Sequence, residues 1–207
     1  MGHSNLPPAL RPGRARRGHD EKRRPAPHRD GRGSAVKGAA AASQEDSQPR
    51  TVLLACGNSL REDDGAGLRI AEAVERAVPA TRLRVIAAQQ WTPEMAAELS
   101  GAKLAIFVDA NAADEPGAIR VVPVAARAGQ PETHRLDPAA VLGLAESLCG
   151  HAPERAFLLT VGADAFGYGE ELSMAVRRAV PRAVRLVMNL AGAFAGERAG
   201  SGEGHGC

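Results

Sequence analysis

Three carboxylates crowd one short loop of this chain: Glu62, Asp63 and Asp64, within Cys56-Gly-Asn-Ser-Leu-Arg-Glu-Asp-Asp-Gly-Ala-Gly67. A phosphate-cradling loop at such a place offers backbone amides and a lysine. Acids there point instead to a cation or to a proton-transfer step. A further acid, Asp109, closes the apolar run Leu104-Ala-Ile-Phe-Val108, where a charge is costly to bury. His134 is the imidazole candidate, because the domain's other histidine, His151, lies in a polar turn. Two carboxylates and one imidazole suit a first-row divalent metal such as Zn²⁺ or Ni²⁺. They make an incomplete shell, which leaves positions open for substrate.

Each of these residues also has a plainer reading. Asp63 or Asp64 could complement a helix macrodipole, and Asp109 could cap a turn. Gly57 and Asn58 could simply make a turn with positive φ. Gly65 and Gly67 at a helix start cost about 1 kcal/mol each relative to alanine. Close approach of another backbone, or tight packing of helix on sheet, would explain that cost. Gln89, Gln90 and Trp91 follow the second strand. Trp91 reads as a rim contact for a peptide in preference to a lid on the core. Cys56 is expected to pack at the end of a buried strand.

The elements that must position these groups alternate along the chain. Apolar runs at 51–56, 82–87, 104–108 and 156–161 read as strands, and 118–124, which alternates and carries Pro123, reads as an edge strand. Helices are expected over 64–78, from Thr92-Pro93-Glu94 to about Ser100, from Asp137-Pro138 to about Leu148, and from Ser173 to about Leu190 with a kink or restart at Pro181. Near-continuous apolar strands between helices imply a three-layer α/β/α sandwich with a mostly parallel sheet and one antiparallel or edge strand. In such a sheet, active residues gather at the carboxyl ends of the strands, so Asp64, Asp109 and His134 can meet at one rim.

Charge divides the chain. Residues 1–50 hold 11 Lys+Arg against 5 Asp+Glu, a net of +6, and the remainder 15 against 19, a net of −4. Residues 1–49 read as a disordered basic tail rich in Pro, Gly and Arg, 50–195 as the folded domain, and 196–207 as a flexible Gly-rich tail. An extension without function is preferred for the first tail over an electrostatic contact, so no nucleic-acid partner is expected. No run approaches a membrane span and no apolar signal core exists. Three cysteines without CxxC spacing point to a reduced cytosolic setting. A phosphoacceptor signalling domain is the main rival, since it too places acids after strands one and three around Mg²⁺. It needs a late lysine, and the only lysines are Lys22, Lys37 and Lys103.

The motif Gly57-Asn58-Ser59-Leu60-x-x-Asp63-Asp64-Gly65-x-Gly67, followed by Val108-Asp109-Ala110, Pro116-Gly117 and Thr133-His134, resembles the hydrogenase maturation endopeptidases. Phe166-Gly-Tyr-Gly-Glu-Glu-Leu172-Ser173 looks like that family's closing motif, and the resemblance spans about residues 51–190. Gln89-Gln-Trp-Thr-Pro-Glu94 departs from the family's Gly-Gly-Thr stretch. It looks more like the branch serving cytosolic, NAD-coupled bidirectional [NiFe] hydrogenases. The resemblance implies a cytoplasmic endopeptidase that removes the C-terminal extension of a [NiFe]-hydrogenase large-subunit precursor after nickel insertion. It implies that Asp64, where some relatives carry Glu, Asp109 and His134 contact the metal and carry catalysis. Gly57, Asn58, Asp63, Gly65, Gln89, Gln90 and Trp91 are expected around the substrate. The nickel belongs to the substrate, so no tightly bound resident cofactor is expected, nor any membrane contact, and a monomer is expected. The alternative function is a non-catalytic metal- or phosphate-linked α/β binding or signalling domain.

Overall fold

The computed structural model describes residues 50–129 and 136–199; residues 1–49, the segment with His134, and residues 200–207 lie outside it. The strands are β1 (Thr51–Cys56), β2 (Arg84–Ala88), β3 (Leu104–Asn111), β4 (Ile119–Pro123) and β5 (Arg155–Gly162). They form one sheet in the order β2-β1-β3-β5-β4. The pairs β1–β2, β1–β3 and β3–β5 are parallel, and β4 runs antiparallel to β5 at the edge. The helices are α1 (Ala66–Ala77), α2 (Met95–Glu98), α3 (Pro138–Cys149) and α4 (Met174–Ala199). This is the expected α/β sandwich, mostly parallel with one antiparallel edge.

Strand alternation sorts the core into two layers. Leu53 and Ala55 of β1, with Leu104, Ile106 and Val108 of β3, face Ile70 and Val74 of α1 and Val176, Ala183 and Val187 of α4. Val52, Leu54 and Cys56, with Ala105 and Phe107, face Met95 and Ala96 of α2, Leu99 just after it, and Val141, Leu142 and Ala145 of α3. All of β1 and residues 104–108 of β3 are buried, as expected for strands covered on both faces. In β4, by contrast, four of five residues are exposed. Cys56 lies buried at the end of β1, as expected.

Helix bounds differ from expectation in two places. Thr92 and Pro93 do not open a helix: α2 is only four residues, begins at Met95 and has no side-chain cap. Its surroundings are a run of tight turns, Met95 N–H to Thr92 C=O, Ala96 N–H to Pro93 C=O, Leu99 N–H to Ala96 C=O and Ala102 N–H to Leu99 C=O. The short span between Trp91 and β3 buries Met95, Ala96, Leu99 and Ala102 by turning rather than by extending a helix. The closing helix does not restart at Pro181 and runs on past Leu190 to Ala199. Proline removes one helical bond, but Ala179, Ala183, Val187 and Phe194 stay buried on both sides of it. Tertiary packing of that face outweighs the local loss. The Asp137-Pro138 start holds as read: Asp137 caps α3 by accepting from Ala140 N–H at 2.9 Å. Among the described residues, no helix is long and apolar enough to cross a membrane.

Candidate active site

The strand order reverses at β1: the chain leaves β1 for β2 on one side and returns to β3 on the other. Such a switch leaves a crevice at the carboxyl ends of the two central strands. Asp64 and Asp109 both sit there. Asp64 lies in the 3-10 turn Glu62–Gly65 between β1 and α1. Its Oδ2 accepts the Asn58 N–H at 2.9 Å. Asp109 continues the row Ala105–Phe107 on β3, so alternation turns it toward the α2–α3 layer, beside Cys56.

The charges of these groups interact. Burial pushes the Asp109 carboxyl up to about 6; hydrogen bonds from Ala110 N–H and the Trp91 side chain oppose this, and the Asp64 charge adds to it. The Ala110 bond is 2.9 Å. Burial, then the Asp109 and Asp64 charges, pushes the Cys56 thiol far up. Cys56 therefore stays a neutral thiol and is no nucleophile. A carboxyl near 6 exchanges a proton close to neutrality, and two acids facing one space attract a cation. Among the described residues, no three His, Cys, Asp or Glu side chains form a metal-binding group.

Two glycines let the loop close on itself. Gly57 has φ +147, and a Cβ there would lie 2.0 Å from Asp64 C=O. A Cβ on Gly67 would lie 2.1 Å from Cys56 C=O, so α1 approaches β1 backbone to backbone. The close approach that Gly67's cost called for is thus observed. Gly65 has more room, with Ser59 Cα 3.2 Å from such a Cβ.

The surrounding residues divide differently from expectation. Asp63 is fully buried and cannot touch substrate. Its Oδ1 accepts Ser173 N–H at 2.7 Å and its Oδ2 accepts Ala165 N–H at 3.3 Å. Its own N–H donates to Ala165 C=O at 3.0 Å. Asp63 is a brace between the first loop and the segment leading into α4. Gly57 and Gly65 are likewise buried and shape the loop rather than meet a ligand. Asn58 is partly exposed and makes a turn, its Oδ1 accepting Leu60 N–H at 3.0 Å. Gln89 and Gln90 are exposed after β2. Trp91 is partly exposed and packs edge-on to Phe107 with centroids 5.4 Å apart, so it covers the core on one side and keeps a face at the rim. It also reaches the Asp109 carboxylate with its indole N–H, a contact that spacing in the sequence does not reveal. Glu62, grouped with the loop's acids in the sequence, takes a structural part instead. It sits at φ 48 and accepts Gly167 N–H at 3.0 Å, so it is a second brace.

His134 lies outside the described residues. The described residues resume at Leu136, just before α3, which packs on the face of the sheet that Asp109 shares. His151 is excluded from the site by position. Its Nε2 accepts Gly101 N–H at 3.0 Å ahead of β3, at the amino ends of the strands.

No protein-family model and no curated protein matches the chain. Solved structures do. Among them is [NiFe] hydrogenase maturation protease HycI from Thermococcus kodakarensis KOD1, with TM-score 0.57, 21% identity, and 71% of this chain and 97% of that one covered. The hydrogenase maturating endopeptidase HybD from E. coli matches at TM-score 0.54 and 22% identity, over 68% of this chain and 91% of that one. A hydrogenase 2 maturation peptidase from a Thaumarchaeota archaeon matches at TM-score 0.51 and 23% identity, over 69% and 98%. With the parallel sheet, its antiparallel edge and the paired acids at the switch already in place, the chain has the fold of the hydrogenase maturation proteases.

Proposed function

We propose that the protein is an endopeptidase that removes the C-terminal extension of a [NiFe]-hydrogenase large-subunit precursor once nickel is in place. The observation that carries this reading is the convergence of Asp64 and Asp109 at the switch crevice of a fold that solved maturation proteases share. His134 is assigned as the third contact on the Thr133-His134 motif. Three ligands of moderate affinity make a poor resident site, but they can join an ion already held by substrate thiolates. Cleavage then depends on metal loading. In the cut itself, a carboxylate of the pair takes a proton from water, the water oxygen adds to the scissile carbonyl carbon, and the C–N bond breaks. The departing amine takes the proton, and the extension leaves with a new amino terminus. Substrate nickel either polarises the carbonyl or activates the water. Asn58, Gln89, Gln90 and the exposed side of Trp91 are left to contact the substrate chain. Cytoplasmic location and a monomeric state complete the reading, and the NAD-coupled branch is assigned on Gln89-Gln-Trp-Thr-Pro-Glu94.

The rival phosphoacceptor chemistry has no support here. Lys103 is the one lysine among the described residues, and it pairs with Glu154 at 3.0 Å at the amino end of β3. The deciding experiment incubates the protein with nickel-loaded and nickel-free precursor and weighs the products by mass spectrometry. Only the loaded precursor should lose its extension. Asp64→Ala, Asp109→Ala and His134→Ala should each lower the rate at least about 100-fold, the scale of a lost acid–base group. Equal cleavage of both precursor forms refutes the nickel checkpoint, and full activity in all three variants refutes the assigned residues.

A further inference from the structure

Among the described residues, no large hydrophobic side chain is more exposed than Tyr168, at 97%, and Leu60 is 56% exposed. Neither contributes to the core. Both nonetheless stand on tightly tied backbone. Gly169 N–H donates to Leu60 C=O at 3.0 Å, and Glu62 N–H donates to Gly169 C=O at 2.8 Å, which makes a parallel bridge between Arg61 and Gly169. The Arg61 guanidinium donates to Phe166 C=O at 2.9 Å, and Gly167 N–H donates to Glu62 Oε2 at 3.0 Å. Leu60 and Tyr168 each precede a bridged residue by one position. Their backbones therefore lie side by side, joined by the Gly169 N–H to Leu60 C=O bond. Asp64 closes the same loop, four residues beyond Leu60.

An aromatic and an aliphatic side chain on immobile backbone bind with little loss of freedom, and tyrosine is a frequent anchor of protein contacts. We propose that Leu60 and Tyr168 form an apolar platform that seats an apolar side chain of the precursor polypeptide and so delivers the scissile bond to Asp64 and Asp109. The proposal rests on the protease reading and names how that site holds its substrate. The occupant is the precursor's own chain because Leu60 lies within the loop that Asp64 closes on Asn58 N–H, which sets the platform next to the acid-bearing loop. The segment Phe166–Ser173, otherwise without a task in catalysis, thereby acquires one.

The test compares Leu60→Ser, Tyr168→Ser and Tyr168→Phe on nickel-loaded precursor, with circular dichroism as the check on folding. Each serine variant should raise KM about tenfold while kcat stays within about twofold, as loss of uniform binding does. Tyr168→Phe should behave as wild type, because the ring face makes the contact. On an Asp109→Asn background that binds without cutting, Tyr168→Ser should weaken precursor affinity by the same factor, equivalent to about 1.4 kcal/mol. Unchanged KM and affinity in both serine variants overturn the platform, and so does a phenylalanine variant as impaired as the serine one. A wild-type protein that binds the precursor but never cuts it refutes the protease reading instead, and the affinity comparison still decides the platform.

Discussion

Asp109 shows how one position in a strand sets a site's chemistry. Alternation on β3 turns it into the α2–α3 layer, under Trp91, where burial and then Asp64 hold its proton on up to about 6. The folded state thus binds this proton more tightly than the unfolded chain does. The group's favourable contribution is complete below its unfolded value and is lost as pH rises through about 6. Asp109→Asn removes the buried charge. In metal-free protein the variant should be more stable than wild type at pH 8, by up to about 3 kcal/mol, with the gap closing near pH 4. Denaturant midpoints at the two pH values check this, and a pH-independent gap contradicts it. Asp64 and Asp109 could be picked out in the sequence because their signals are local: acids in the loop after a first strand, and a charge closing an apolar run. Asp63 carries the same local signal and serves a different end. What buries it, Ala165 and Ser173, lies 102 and 110 positions away, beyond the reach of any spacing rule.

Among the elements, the strands were legible because burial on both faces leaves an uninterrupted apolar imprint, as in Thr51–Cys56. The edge strand announced itself through Pro123. Two helix limits, the span of α2 and the far end of α4, were not legible, because packing fixed them. Successive tight turns between Trp91 and β3 bury Met95, Ala96, Leu99 and Ala102 in place of a full second helix, and the buried face of α4 carries it through Pro181. The contact of α1 with β1 is a tight joint beside the site, and it rests on one glycine, Gly67. Gly67→Ala should cost about 3 kcal/mol, in the range of overpacked cores, because the new Cβ meets Cys56 C=O at 2.1 Å. Gly65→Ala, where the nearest atom is 3.2 Å away, should be tolerated within about 1 kcal/mol. Thermal unfolding of the two variants side by side checks the contrast; equal losses mean the helix is not seated on that carbonyl.

At the scale of the molecule, the site follows from topology: a sheet that reverses at β1 opens a crevice where two distant acids meet. The machinery assigned to cleavage lies wholly after residue 50. Removing residues 1–45 should therefore leave the processing rate within about twofold, a surface-level effect; a truncated protein that folds but cannot process would place function in the basic segment. The joint between the first loop and the far end of the chain carries a further consequence. Asp63 and Glu62 take their settled shape from Ala165, Gly167, Gly169 and Ser173. A ribosome must have released those late residues before the early acids have anything to rest against. The first loop thus reaches its final shape only once the segment leading into the last helix has emerged.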